Sequence, residues 1–221
     1  MNKLPPLKYG TKNPLHVEDI TRERSVVIIK PDGVVRQIAG DIISRFERKG
    51  LKIIAMKMVH PTKSQVDQHY EVTEGWIKSN GQRTYDSYAS KGLAPPAEPR
   101  ELALETRRKL MNYLGAGPVI AMVLEGAHVI EIVRKIRGAT SPLNAEAGSV
   151  GFDYSLESYE LADAGNWAVR NTLHGSDSRE AAEREIPIWF SDVDLIEYET
   201  AIERYIYDDA WHMQAKDDKK S

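Results

Sequence analysis

VVIIKPDGVVRQIAGDIISRFERKG, residues 26–50, sets the architecture of this chain. Val26, Val27, Ile28 and Ile29 form a short, unbroken run of β-branched residues, the composition of a strand buried on both faces. Lys30, Pro31, Asp32 and Gly33 end it, because a proline cannot donate to a ladder and a glycine permits the turn. Ile38, Ile42, Ile43 and Phe46 then recur at helical spacing, and Gly50 stops the helix just after the basic pair Arg48 and Lys49. The segment is therefore strand, turn, amphipathic helix.

Working outward, residues 51–59 alternate and predict a second strand, closed by His60 and Pro61. Thr62 followed three residues on by Gln65 predicts a capping box and a helix to about Val72. Residues 74–100 are punctuated by Gly75, Gly81, Gly92, Pro95, Pro96 and Pro99, and predict an irregular insertion. A helix over 101–114 and a strand over 119–124 follow, then a helix through Val129, Ile130, Val133 and Ile136 that stops at Gly138. Residues 140–165 predict a second irregular stretch with a β-like patch at 150–154, and residues 168–173 a strand ending on His174. Helical patches occupy the remainder to Tyr207. The order predicts an α/β (α+β) fold with a mostly antiparallel sheet.

Toward the ends, residues 1–22 predict an extended arm and residues 208–221 a charged tail, with one domain over 23–207. The 221 residues carry a net charge of −3, so any anion site must be built locally rather than by a general basic field. With no cysteine there is neither a disulfide nor a thiolate nucleophile. No secretory signal and no membrane-spanning run is legible, and a cytoplasmic location is expected.

The chemistry concentrates in Arg170-Asn171-Thr172-Leu173-His174-Gly175-Ser176-Asp177-Ser178. A histidine at a strand end, followed by glycine and small hydroxyl residues, can expose one ring nitrogen to an electrophile. Glu185 on the following helix, with Ser176, can hold the ring in one tautomer. An isolated histidine is more often a surface or core residue, and His16, His60, His128 and His212 are read so; His69, beside Tyr70 on a helix, is ambiguous. Lys30 at the end of the first strand can face a phosphate or simply extend its stem along the surface. No phosphate-binding Gly-rich loop with Lys-Ser/Thr exists, nor the motif set of protein kinases.

Taken together, Ile29-Lys30-Pro31-Asp32-Gly33-Val34, Gly117-Pro118-Val119, the segment around His174, and Glu185-Ile186-Pro187-Ile188-Trp189-Phe190 closely resemble the successive signatures of nucleoside diphosphate kinases. The resemblance implies a ferredoxin-like βαββαβ sandwich with a four-stranded antiparallel sheet, extended by insertions at about 74–100 in the helical hairpin lid and 154–167 before the catalytic strand. It implies a ping-pong transfer of a γ-phosphoryl group from a nucleoside triphosphate, typically ATP, to a diphosphate through a phosphohistidine at His174, with Glu185 and Ser176 as supports. Lys30, Tyr70, Leu110, Arg134, Thr140 and Asn171 match positions that hold the nucleotide. Mg²⁺ is implied on the nucleotide phosphates, with no dedicated protein ligands. The implied partners are nucleoside triphosphates and diphosphates (ATP, GTP, deoxynucleoside diphosphates) and further copies of the chain, as a tetramer or hexamer, with neither membrane nor nucleic acid.

The sequence also departs from that pattern. Gly151 stands where the family carries a phosphate-clamping arginine, and Arg137 or Arg83 are the replacements suggested by their place in the chain. The aromatic residue that stacks on the base has no clear counterpart, Trp76 being one candidate. The alternative reading is a nucleotide-binding regulatory homologue with weak or no transfer. Arg107, Arg108 and Lys109 give only slight support to nucleic-acid binding and fit a solvated helix face better.

Overall fold

The structure is a computed structural model that describes residues 20–90 and 92–207. Most of the expected arm and all of the expected charged tail lie outside the described residues; of the arm, residues 20 and 21 are helical. Four strands, β1 (Arg24–Ile29), β2 (Lys52–Val59), β3 (Val119–Glu125) and β4 (Leu173–Gly175), form one antiparallel sheet in the order β2-β3-β1-β4. With α2 (Ala39–Arg48) joining β1 to β2 and α6 (Val129–Arg137) joining β3 to β4, this is the expected βαββαβ sandwich.

Alternation along β1 assigns the two faces. Val27 and Ile29 pack with Ile42 and Phe46 of α2 and with Val129 and Val133 of α6. On the other face, Val26 and Ile28 pack with Val66 of α3 (Lys63–His69), Leu114 of α5 (Pro99–Leu114) and Trp189 of α9 (Arg179–Trp189). All four β1 residues are fully buried, which explains why their run is unbroken and not alternating. A five-residue helix, α1 (Pro31–Val35), begins at the proline that ends β1, since the proline's missing N–H is no loss in a first turn.

Three local expectations are corrected. Residues 74–90 are not irregular: α4 (Glu74–Ser90) runs through both of its internal glycines and pairs with α5 as a long hairpin. Its packing explains Gly81, where a Cβ would fall 1.9 Å from the Pro99 carbonyl oxygen. The β-like patch is the helix α7 (Val150–Tyr154), started by the Ser149 hydroxyl accepting from the Phe152 N–H. Residues 168–172 are not a strand. Thr172 sits at φ +65°, outside extended backbone, so β4 can begin only at Leu173. Within the second expected insertion, α8 (Tyr159–Gly165) is capped by Ser158. The capping box of Thr62 and Gln65 is present, and its helix ends at His69, three residues earlier than expected.

Residues beyond α9 form a strap along β2. The Ile196 N–H donates to the Ile54 carbonyl at 2.8 Å and the Tyr198 hydroxyl to that of Ile53 at 2.9 Å. Buried Lys52 ties Glu125 (2.8 Å) to Glu203 (2.7 Å) on α10 (Ala201–Tyr207).

Candidate active site

Register decides where the nucleophile points. His174 pairs directly with Ile28, and side chains directly opposite share a face. Its ring is therefore delivered to the α3 and α9 side, where His69 ends α3 and Glu185 lies mid-way along α9. His174 Nε2 is 2.9 Å from Glu185 Oε2, and the Ser176 hydroxyl donates to the same oxygen at 2.8 Å while accepting from the Val26 N–H at 3.0 Å. Arg184 donates to the other carboxylate oxygen at 3.3 Å. Glu185 is only 4% exposed. Burial pushes its carboxyl up, but the His174 ring by charge and hydrogen bond, with His69 and the Ser176 hydroxyl, outweighs this and brings it to about 2.

An ionised carboxylate only accepts, so the His174 proton resides on Nε2 and Nδ1 keeps a free lone pair. This is the tautomer a nucleophile needs. His69 packs edge-on against His174 with ring centroids 4.4 Å apart. The Trp189 indole donates to His69 Nδ1 at 3.3 Å, and burial with the His174 charge drives the His69 pKa well below that of free imidazole, so this wall stays neutral.

Lys30 is 5% exposed and donates to Asn171 Oδ1 at 2.6 Å, while the Asn171 amide donates to the Thr140 carbonyl at 3.1 Å. Burial lowers Lys30 to about 8; the Asp32 carboxylate opposes that fall and the Arg137 guanidinium adds to it. The strained Thr172 lies between these groups and β4. Its hydroxyl donates to Asp32 at 2.6 Å, its N–H to the Tyr113 hydroxyl at 3.2 Å, and its carbonyl accepts the Lys30 N–H at 2.8 Å. Tyr113 in turn donates to Asp32 at 2.5 Å, and the Lys30 ammonium stands 5.1 Å from the centre of its ring.

His174, Glu185 and Ser176 are thus joined by hydrogen bonds, and Lys30 and Asn171 form a second bonded pair whose charge is felt at His69. Tyr70 follows His69 and lies against its ring at 5.0 Å, and burial pushes its phenol up. Arg134 is largely exposed, 3.9 Å from Asp177. Leu110 is half-buried on α5 and Thr140 is exposed in the loop after α6. Of the two proposed arginine replacements, Arg137 reaches the site, donating to the Gly175 carbonyl at 3.1 Å, whereas Arg83 is an exposed residue of α4. Trp76 lies in the first turn of α4 and makes no aromatic contact among the described residues. Arg107, far from a free basic face, binds the Tyr70 carbonyl at 2.7 Å and Asp67 at 2.8 Å. Sequence reasoning gave no role to His69, Asp32, Thr172 and Tyr113, although Asp32 and Thr172 lie inside the two quoted motifs and His69 stands beside Tyr70.

A histidine with one nitrogen fixed on a buried carboxylate, in a βαββαβ sandwich that also buries a lysine, is an arrangement suited to phosphoryl transfer. The sequence profile described as nucleoside diphosphate kinase matches residues 23–82 and 104–195, and the chain belongs to the nucleoside diphosphate kinase family. A nucleoside diphosphate kinase of Pyrobaculum aerophilum is 41% identical over 180 residues, 79% of this chain and 98% of the relative. One of Archaeoglobus fulgidus is 38% identical over 85% of this chain and 99% of its own. The crystal structure of the Pyrobaculum aerophilum NDP kinase superposes with a TM-score of 0.77 at 40% identity, covering 80% of this chain and 100% of that one. A Borrelia burgdorferi nucleoside-diphosphate kinase, solved as a transition state mimic with vanadate and ADP, superposes with a TM-score of 0.67 at 32% identity over 82% of this chain and 95% of its own.

Proposed function

We propose that this nucleoside diphosphate kinase transfers the phosphoryl group through Nδ1 of His174. The observation that carries the assignment is the 2.9 Å contact between His174 Nε2 and the buried Glu185 carboxylate. In the first half-reaction the Nδ1 lone pair forms a bond to the γ-phosphorus of a nucleoside triphosphate. The bond from that phosphorus to the bridging oxygen breaks, and the diphosphate leaves with the electron pair. The ring proton stays on Nε2, where Glu185 balances the positive charge the ring acquires. In the second half-reaction a terminal oxygen of another diphosphate attacks the same phosphorus, and the electron pair returns to Nδ1.

The rest is charge placement around a loose transition state. Lys30, held by Asn171, neutralises phosphate oxygens, and Arg134 supplies a second cation from α6. Thr140 and Tyr70 border the phosphates and ribose, and Leu110 offers an apolar wall to the base. A magnesium ion bound to the phosphates would neutralise charge on the β- and γ-oxygens. The donor set fits an ion that travels with the nucleotide: both oxygens of Asp32 and of Glu185 are already engaged, and the His69, His174 and Glu185 cluster is too rich in nitrogen for so hard a cation. ATP and GTP as donors, deoxynucleoside diphosphates among the acceptors, a cytoplasmic location and a tetramer or hexamer complete the proposal.

Incubation with γ-labelled ATP and Mg²⁺, followed by removal of nucleotide and addition of GDP, tests it. Acid-labile label on the protein that passes to GDP, and is absent in His174→Ala, is the expected result. Bound ATP without any label on His174 would reject the transfer mechanism in favour of a nucleotide-binding homologue.

A further inference from the structure

Resting on the phosphohistidine reading above, we infer that Arg137 is a phosphate-contacting catalytic residue whose guanidinium holds the phosphoryl group as it moves to and from His174. Arg137 ends α6, and its Nη1 donates to the carbonyl of Gly175, the residue that follows His174, at 3.1 Å. The same nitrogen is 3.4 Å from the Asp177 carboxylate, and Nε is 3.5 Å from the Gly138 carbonyl. Nη2 has no partner among the described residues. The side chain is 15% exposed, against 54% for Arg134, so it is held in place and still open to solvent along one edge.

Two further observations place that edge on the phosphate path. Thr140, three residues beyond Arg137, receives the Asn171 amide whose other end holds Lys30, so the α6 terminus and the buried lysine frame the same opening. The Arg137 charge is also felt at Lys30, where it favours loss of the ammonium proton. Asp32 at Lys30 and Asp177 at Arg137 offset the repulsion of the two cations only in part, and a phosphoryl group is a dianion able to engage both. Asp177, 70% exposed and shared by Arg134 and Arg137, serves as the weak counter-ion that a phosphate displaces.

The backbone around Arg137 is fixed by Gly151 on α7. A Cβ at that position would come within 3.2 Å of the Arg137 carbonyl oxygen and 3.4 Å of the Ala145 Cβ. Glycine therefore lets α7 close against the end of α6 and brace the arginine from behind.

The experiment measures the rate at which γ-labelled ATP phosphorylates His174 at saturating ATP in wild type, Arg137→Lys and Arg137→Met, with and without added guanidinium ion. Loss of one preorganised donor to a developing phosphate charge predicts about a 10²-fold slower labelling of Arg137→Met. We expect an intermediate rate for Arg137→Lys and recovery of at least about tenfold by guanidinium, which supplies the missing group and cannot repair a fold. Labelling of Arg137→Met within threefold of wild type, or a slow variant that guanidinium fails to rescue, overturns the role. Failure of the wild type itself to take label while binding ATP would instead reject the phosphohistidine reading, so the two failures are distinct.

Discussion

Around His174 nearly every polar atom is committed to a partner inside the sandwich, whereas the α4–α5 hairpin makes its polar contacts mostly within itself and in water. Glu185, Ser176, Lys30, Asn171 and Thr172 are buried and bonded between segments far apart in the chain or across a turn. On the hairpin, Arg100 pairs with Glu74 and Arg108 with Glu105 at largely exposed positions, contacts of a kind that contribute little to stability. Two residues of α5 reach from it into the site's surroundings, Arg107 through the Tyr70 carbonyl and Tyr113 through Asp32 and the Thr172 N–H. The difference teaches where a substitution is amplified: a buried network leaves an unpaired group behind when one member is lost, and an exposed pair does not.

The largest expected contrast is at the nucleophile's support. Glu185→Gln, which keeps the shape but not the charge, should slow phosphorylation of His174 by about 10²- to 10³-fold, read by the rate of label incorporation. The same variant alters acid stability. Because the folded pKa of Glu185 is depressed to about 2 from 4.5, its contribution is complete above pH 4.5 and is lost as pH falls toward 2. A shift of that size corresponds to roughly 3 kcal/mol, and denaturant titrations at several pH values should show a flatter acid limb for Glu185→Gln. If the two proteins lose stability in parallel, the buried carboxylate is not the group responsible.

A second test separates the hairpin directly from the floor of the site, the buried network around His174. Gly81→Ala drives a Cβ into the Pro99 backbone and should destabilise the hairpin by about 1–3 kcal/mol. Hydrogen exchange would report faster opening of residues 74–114, while amides of β1 and β4 keep their protection. Equal loosening of both regions would show that they unfold as one unit.

Lys30 sharpens the floor in another way. With a pKa near 8 it is partly uncharged at pH 8, and an entering phosphate raises that value, so nucleotide binding should take up a fraction of a proton there and almost none at pH 6. Calorimetry in buffers of differing ionisation enthalpy measures the uptake, which Lys30→Met should abolish. The smallest effect belongs to Arg83→Ala on the exposed face of α4, which should change stability by no more than about 0.5 kcal/mol and leave labelling unaltered.

The same contrast explains what the sequence disclosed. The floor was legible because its chemistry is packed into short segments: Lys30 to Gly33, and Asn171 to Asp177 with Glu185 one helix later. The capping box at Thr62 was legible because it is local by nature. The hairpin was misread because glycine and proline were counted as breaks, when Gly81 is instead the contact surface for a neighbouring helix. The patch at 150–154 was misread because Val150, Phe152 and Tyr154 alternate, while the hydroxyl that starts the helix belongs to Ser149, just outside it. Tyr113 carries no local signature at all, and the part played by Thr172 inside its motif is not local either, because both arise from contacts spanning 59 and 140 positions of chain.

The strap over β2 bears on how the molecule behaves at high concentration. A sheet edge is a row of unpaired amide and carbonyl groups able to recruit the same strand from another chain. Here Ile196 and Tyr198 occupy carbonyls of that row, and Lys52 of β2 holds the strap from within through Glu203. Cover for that edge is thus vested in a segment that none of the hydrogen bonds around His174 includes, and shortening the chain before residue 196 would leave the Ile53 and Ile54 carbonyls open to another strand.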